Sequence, residues 1–178
     1  MNAYLETVDS PAGPLTFAVN EDGALLFLSF LEGHYPTTIE EDLINEGYTC
    51  LSDPERTAHV RQQLVEYASG ERTTFDLPVV LQGTEWQKAV WRELMQVPFG
   101  ETRTYGELAR SLGRPQASRA VGRANGTNRI PLVIPCHRII GADGTLTGFG
   151  GGLHLKTALL THEGVEIAKP AKQLALAT

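Results

Sequence analysis

The 178-residue chain predicts an α/β protein of the α+β kind, with a small antiparallel sheet first and a mostly helical part with a helix-turn-helix after it. Three observations predict this. The first 30 residues hold short apolar runs separated by Pro, Gly, Asn and Asp turns. From Thr84 onward apolar residues recur at helical spacing behind capping-box pairs. Two short helical segments flank Gly113 and Arg114.

Tyr4 to Val8, Leu15 to Val19 and Ala24 to Phe30 read as strands, joined by turns at Pro11-Ala12-Gly13-Pro14 and Asn20-Glu21-Asp22-Gly23. Residues 31–50 are mixed and assign to no element. A helix is expected from Asp53 to Ala68, with Ser52 and Glu55 as a capping box and Gly70 as its stop. Val60, Leu64, Tyr67 and Ala68 would share its apolar face. Thr73 to Leu81 reads as extended, interrupted by Pro78, and leads into the second part. Thr84 and Gln87 cap the next helix, which carries Trp86, Val90 and Leu94 and ends at Pro98 and Gly100. Thr104 caps a short helix with Glu107 at its third position, Leu108 and Leu112 toward the core, and Gly113 closing it. Pro115 suits the first turn of another helix, running to about Ala124. Asn125 to Asn128 reads as a loop, Ile130 to Ile134 and Ile139-Ile140 as extended, Asp143-Gly144 as a turn, and Leu153 to His162 as a final helix behind the Gly-rich run Gly148 to Gly152. The expected organisation is one domain over 1–83, a second over 84–168 and a tail without fixed structure over 169–178.

The length suits one good core or two small domains sharing an interface. No apolar run approaches the roughly 20 residues of a membrane span. The start, MNAYLETVDS, has neither a basic nor an apolar signal region, so no secretory signal and no membrane are expected. With only Cys50 and Cys136, free thiols in a reducing, cytoplasmic setting are the simpler reading. The net charge of -6 is unevenly spread. Residues 1–83 hold 14 acids and 3 bases, whereas residues 84–178 hold 7 acids and 12 bases. Eight of those bases lie between Lys88 and Arg129. A basic half joined to an acidic half points to a polyanion facing one side only, against the plain alternative of solvated surface charge.

The residues with chemistry lie in the run from Ile130 to Ile140, IPLVIPCHRII. Cys136 stands where an apolar stretch gives way to the polar pair His137-Arg138. A cysteine there is either core filler or a nucleophile, and a nucleophile needs its thiolate favoured by a basic or hydrogen-bonding neighbour. His137 is the candidate base, directly or through one water. Neighbours on a strand point to opposite faces, so direct contact requires an irregular backbone. Glu163, at the end of the last helix, is the candidate to orient the imidazole. His34, His59, His154 and His162 have no comparable setting. Cys136-His137 lacks the partner pairs that structural zinc requires, and Cys50 reads as a small apolar filler.

Together, Thr104-Tyr105-Gly106-Glu107-Leu108, Ser118-Arg119-Ala120-Val121-Gly122, Asn128, Ile134-Pro135-Cys136-His137-Arg138, Gly151-Gly152-Leu153 and His162-Glu163-Gly164 closely resemble the O6-alkylguanine-DNA alkyltransferases. The likeness spans about Thr84 to Gly164, with a looser match before it. It implies direct-reversal DNA repair, in which Cys136 irreversibly accepts a methyl or alkyl group from O6-alkylguanine, and with it O4-methylthymine, in a single turnover. It implies His137 as a water-mediated base, Glu163 as its orienting group, and Asn128 as the tie between recognition helix and active-site segment. Tyr105 would donate a hydrogen bond to the flipped base, and Arg119 would enter the stack it leaves. Arg138 reads as structural support. Ala117, Ser118, Ala120, Gly122 and Arg123 would meet the minor groove of double-stranded DNA, the small residues allowing close approach. Tyr105, Ile139, Phe149 and Gly150 would wall the alkylguanine pocket. No cofactor and no metal are implied, and the expected state is a monomer. Some relatives carry Tyr-Ser or Tyr-Ala where Phe149-Gly150 stands, so the lost bulk predicts room for groups larger than methyl. Zinc-ligand cysteines of some relatives' first domains are absent, and the acidic first half is expected to support the second rather than touch DNA. The rivals are a helix-turn-helix DNA-binding protein, a non-catalytic alkyltransferase-like lesion sensor, which would lack the acceptor cysteine, and a cysteine hydrolase, which would not need Arg119 on a helix-turn-helix.

Overall fold

The structure, a computed structural model, describes residues 1–167, so the expected tail lies outside the described residues. β1 (Asn2–Val8), β2 (Leu15–Val19) and β3 (Leu25–Phe30) form an antiparallel meander. The unassigned stretch supplies two more elements, α1 (Ile39–Asn45) and β4 (Thr49–Leu51). β4 pairs parallel to β1, so the sheet has four strands in the order β3-β2-β1-β4 and is mixed rather than purely antiparallel. Both elements are too short to show a period, although Thr38 and Glu41 form a reciprocal capping box at the start of α1. Strand alternation then sorts the sheet's side chains between two layers. Ile39 and Leu43 of α1 cover Ala3, Ala18 and Leu26 on one face. On the other face α2 (Pro54–Ala68) packs Val60, Leu64 and Tyr67 against Phe17, Leu28 and Phe30.

α2 corrects the sequence reading at its start. Asp53, not Ser52, is the cap, and its Oδ1 accepts from the Glu55 and Arg56 amides at 3.1 and 3.3 Å. Pro54 fixes the first helical φ and so sets the cap one residue later than the Ser52–Glu55 pair suggested. Ala68 is only half-buried, and Thr57 takes the fourth buried place on that face. Residues 73–81 form no strand. Leu25 donates to the Pro78 carbonyl and accepts from the Val80 amide, making one isolated bridge, and Pro78 has no N–H with which to extend it.

α3 (Glu85–Leu94) starts at the Thr84–Gln87 capping box and buries Val90, Trp91 and Leu94. β5 (Arg103–Thr104) pairs parallel with β6 (Ile139–Ile140). α4 (Tyr105–Ser111) starts at the Thr104–Glu107 box. Gly113, at φ +69°, makes the left-handed turn that lets the chain double back. α5 (Ser118–Gly126) starts three residues beyond Pro115, which sits in a preceding turn closed by the Ala117 amide on the Arg114 carbonyl. Asn125 and Gly126, expected in a loop, are its last two residues, because Val121, Ala124 and Asn125 continue its buried face. The Trp91 indole N–H donates to the Ala124 carbonyl at 2.9 Å and locks α3 to α5. α6 (Leu153–His162) packs against the segment Cys136–Arg138.

One apolar cluster runs from Phe17 and Phe30 through Tyr67 and Trp91 to Leu155 and Leu159, so both halves share buried surface. Arg129 also crosses between them. It donates to Gln82 and to Glu46, and its guanidinium lies 4.0 Å from the Phe27 ring centroid. Removing the true cap of α2 should be measurable by urea denaturation. Asp53→Ala is expected to cost about 1 kcal/mol, while Ser52→Ala stays within about 0.5 kcal/mol of native.

Candidate active site

The segment around Cys136 is not the strand its apolar residues suggest. Ile134 donates back to the Ile130 carbonyl at 2.9 Å, closing a tight turn in which Leu132 takes φ +76°. Pro135, at φ -78° and ψ 62°, then makes an inverse γ-turn, with the Cys136 amide on the Ile134 carbonyl at 2.7 Å. A single 3-10 turn, Cys136–Arg138, follows. Two prolines that cannot donate to a ladder and a leucine in the left-handed region break the extended pattern. The result buries Cys136, His137 and Arg138 together, at 4%, 0% and 6% exposure.

Asn128 braces this turn. Its amide donates to the Ile134 carbonyl at 2.8 Å, and its oxygen accepts from the Ile130 amide at 3.0 Å. Burial pushes the Cys136 thiol up to about 11, against the opposing pull of the Asn128 amide, the Lys156 charge and the local backbone N–H groups. The resting sulfur at neutral pH is therefore a thiol.

Glu163 caps the C-terminus of α6 with its carboxylate turned inward. Oε1 accepts from His137 Nε2 at 2.7 Å, Tyr67 Oη at 2.8 Å and Arg138 Nη2 at 2.9 Å. Oε2 accepts from Arg138 Nε at 2.9 Å and the Gly100 amide at 3.2 Å. Arg138 thus grips it with two parallel bonds, and also donates to the Val97 carbonyl at 2.7 Å. Burial alone would raise the Glu163 carboxyl, but the bonds and charges of His137 and Arg138 more than reverse it and hold the group far below the usual carboxylate range. An ionised carboxylate only accepts, so His137 Nε2 must carry a proton. Burial keeps the imidazole below its ordinary value despite Glu163, which makes the resting ring neutral. Nδ1, the nitrogen without that proton, has no protein hydrogen-bond partner among the described residues.

Three partners of this site carry no signal of their role in the sequence. Tyr67 lies on α2 of the first half, 96 residues from the carboxylate it bonds. Gly100, at φ +78°, combines the left-handed turn with its amide bond to Glu163. Lys156 is fully buried, donates to the Ile139 and Thr147 carbonyls, and is pulled down to about 8 by burial, partly offset by Cys136.

A cavity of about 370 Å³ opens beside Cys136, with Asn128, Phe149, Gly150 and Tyr35 among its walls. Of the four expected pocket residues it brings Phe149 and Gly150 to the sulfur's cavity. Ile139 is fully buried, and its carbonyl is taken by Lys156. Tyr105, the first residue of α4, points its hydroxyl at the Thr147 carbonyl at 3.2 Å and does not line that cavity. His34, given no role, does line it.

On α5, Arg119 and Arg123 are exposed one turn apart, with Arg110 and Arg114 exposed beside them. Ala117, Ser118, Ala120 and Gly122 are half-buried, and Ala117 offers no side-chain cap to the helix start. Part of the basic half is spent internally, on the Lys88–Glu85, Arg103–Glu93 and Arg129–Glu46 pairs.

Residues 3–81 match the family described as 6-O-methylguanine DNA methyltransferase, ribonuclease-like domain, and residues 85–165 match the DNA binding domain of the same family. The chain is 46% identical over 160 residues to a methylated-DNA–protein-cysteine methyltransferase of Methanosarcina barkeri, covering 90% of this chain and 96% of that one. It is 45% identical over 160 residues to the protein of that name from Mycobacterium tuberculosis, covering 90% and 92%. Among solved structures it is similar to the Mycobacterium tuberculosis OGT in complex with DNA, with a TM-score of 0.79 and 44% identity over 90% of this chain and 93% of that one. It is similar also to the O6-methylguanine-DNA methyltransferase of Pyrococcus kodakaraensis, with a TM-score of 0.65 and 27% identity over 92% and 99%.

Glu163→Gln removes the countercharge of a buried guanidinium and should cost about 3–5 kcal/mol. Because the folded carboxyl titrates below its unfolded value, its stabilisation is full above the ordinary range near 4.3 and is lost as pH falls toward the depressed value. Thermal melts from neutral to acid pH should show a steeper acid loss in the native protein than in the variant.

Proposed function

The chain belongs to the 6-O-methylguanine DNA methyltransferase family, and from that premise we propose that it repairs alkylated DNA by moving the alkyl group from O6 of guanine onto Cys136. The observation that carries the reading is a buried cysteine at a cavity wall, next in sequence to a neutral histidine fixed by an ionised carboxylate. The lesion leaves the duplex to reach so enclosed a sulfur, at a cost of a few kcal/mol. Arg119, exposed on α5, is suited to fill the gap it leaves. The small residues Ala117, Ser118, Ala120 and Gly122 suit close approach to a minor groove, and Arg123 suits a phosphate.

The proton balance follows from the site. The thiol gives its proton through a water to His137 Nδ1, and Glu163 stabilises the imidazolium that forms. The Asn128 amide and the Lys156 charge favour the sulfur anion. Sulfur attacks the alkyl carbon, the S–C bond forms, the C–O6 bond breaks, and its electron pair goes to the purine. The Tyr105 phenol, turned from the Thr147 carbonyl toward the base, offsets the charge developing there. The product is a thioether with no ready leaving group, so the protein turns over once. O4-methylthymine offers the same alkyl–oxygen bond and is a second substrate of the same class.

We assign residues 1–83 as support and residues 84–168 as the alkyltransferase unit, the first bracing the second through the Tyr67–Glu163 and Arg129–Glu46 bonds. Among the described residues no helix is long and apolar enough to cross a membrane. A repair protein that depends on a free thiol fits a reducing compartment, so we assign it to the cytoplasm, acting as a monomer.

Intact-mass measurement after mixing with a duplex holding O6-methylguanine should show one added methylene unit (about 14 Da) on the peptide with Cys136, as covalent capture requires. Cys136→Ser should bind the same duplex with no mass gain. Unchanged mass with tight binding by the native protein would instead fit a lesion sensor. Arg119→Ala should slow transfer from duplex DNA by at least about tenfold while slowing transfer from free O6-benzylguanine little, because the free base needs no flipping.

A further inference from the structure

We infer that Tyr35, from the first half of the chain, sets how large an alkyl group the pocket accepts, by acting as a partition between the cavity at Cys136 and a larger cleft behind it. The inference rests on the alkyl-transfer reading and deepens it.

Tyr35 lies in the connection between β3 and α1, half-buried between exposed neighbours His34 and Pro36. It walls the cavity of about 370 Å³ that Cys136 also lines. It also walls a second space of about 640 Å³, bounded by Thr7, Thr16, Leu31 and Ser52 on the outer side of the sheet. Cys136, Phe149 and Gly150 line only the first space, while Tyr35 stands at the seam with Ser29, Pro36, Thr37 and Ile39 and is the one aromatic side chain among them.

The ring sits in a slot made by absent side chains. A Cβ on Gly33 would lie 2.1 Å from Tyr35 Cε2, and one on Gly151 would lie 2.9 Å from its hydroxyl. One on Gly150 would meet Cε1 at 3.7 Å, an ordinary contact distance. None of these three glycines has a left-handed φ, so the space beside each, not the backbone, is what the ring uses. The room left by Gly150 is therefore bounded by Tyr35. Burial, with Cys136 as a further cause, raises the phenol to about 12, which agrees with a neutral ring close to the sulfur.

The reaction makes this wall matter. In a displacement the sulfur, the attacked carbon and O6 stand in line, so anything beyond the first carbon must project sideways into the cavity. A methyl group needs no such room, whereas a benzyl group must lodge its ring against the side walls. Removing the Tyr35 ring would enlarge the first space toward the second, and a larger ring there would narrow the first.

Single-turnover transfer from duplexes carrying O6-methylguanine or O6-benzylguanine tests this in the native protein, Tyr35→Ala, Tyr35→Phe and Tyr35→Trp. The benzyl-to-methyl ratio of rate constants should rise about tenfold in Tyr35→Ala and fall by a similar factor in Tyr35→Trp, the size of effect expected for a pocket that gains or loses space. Tyr35→Phe should keep the native ratio, since the ring and not the hydroxyl is the wall. A ratio unchanged in both Tyr35→Ala and Tyr35→Trp, with melting temperatures showing folded proteins, overturns the inference. Failure of the native protein to transfer from either duplex overturns the alkyl-transfer reading itself, and the inference with it.

Discussion

A buried carboxylate ties together the residues of the candidate site. Glu163 is almost without solvent and accepts five hydrogen bonds from four residues. An ion taken this far from water survives only when its lone pairs are filled and its charge is matched, and Arg138 supplies the match. The donors come from distant parts of the chain: α2 through Tyr67, the turn after α3 through Gly100, and the 3-10 turn through His137 and Arg138. The group that fixes the imidazole also pins the first half to the second. The two halves and the candidate site meet at one pair of oxygens.

The backbone at Cys136 explains how adjacent residues serve different ends. On a strand, Cys136 and His137 would face opposite sides, and one of them would be lost to the site. The turn at Leu132, the γ-turn at Pro135 and the single 3-10 turn swing both inward, the sulfur to the cavity and the imidazole to Glu163. Asn128 stitches both ends of the Ile130–Ile134 turn that begins that stretch. A left-handed leucine costs of order 1 kcal/mol, and such strain persists only where its surroundings over-determine it.

Much of the architecture is legible in the residues because it is local. The Thr84–Gln87 and Thr104–Glu107 capping boxes and the stop at Gly113 mark helix ends through contacts only a few positions apart. The unread parts are those whose cause is remote. IPLVI has a strand's composition, and only its prolines and the packing around them make it a turn. β4 has three residues and finds its place by pairing with β1 across the chain. Cys136, His137, Glu163 and Asn128 could be singled out from chemistry and resemblance, and the fold gathers them. Tyr67 and Lys156 could not, because each reads as a helix residue like its neighbours until the fold brings it to the site. His34 and Tyr35 lie in a segment without a period, so nothing local marks them as cavity walls.

The proposed alkyl transfer depends on one proton being in one place: on Nε2 of His137, facing Glu163, with Nδ1 free to take the proton of Cys136. Nitrogen-15 NMR of the protein with labelled histidine reads that tautomer directly. At neutral pH the expected result is a neutral ring for His137 with a protonated Nε2 and an unprotonated Nδ1. A His137 ring protonated on both nitrogens, or carrying its proton on Nδ1, would contradict it.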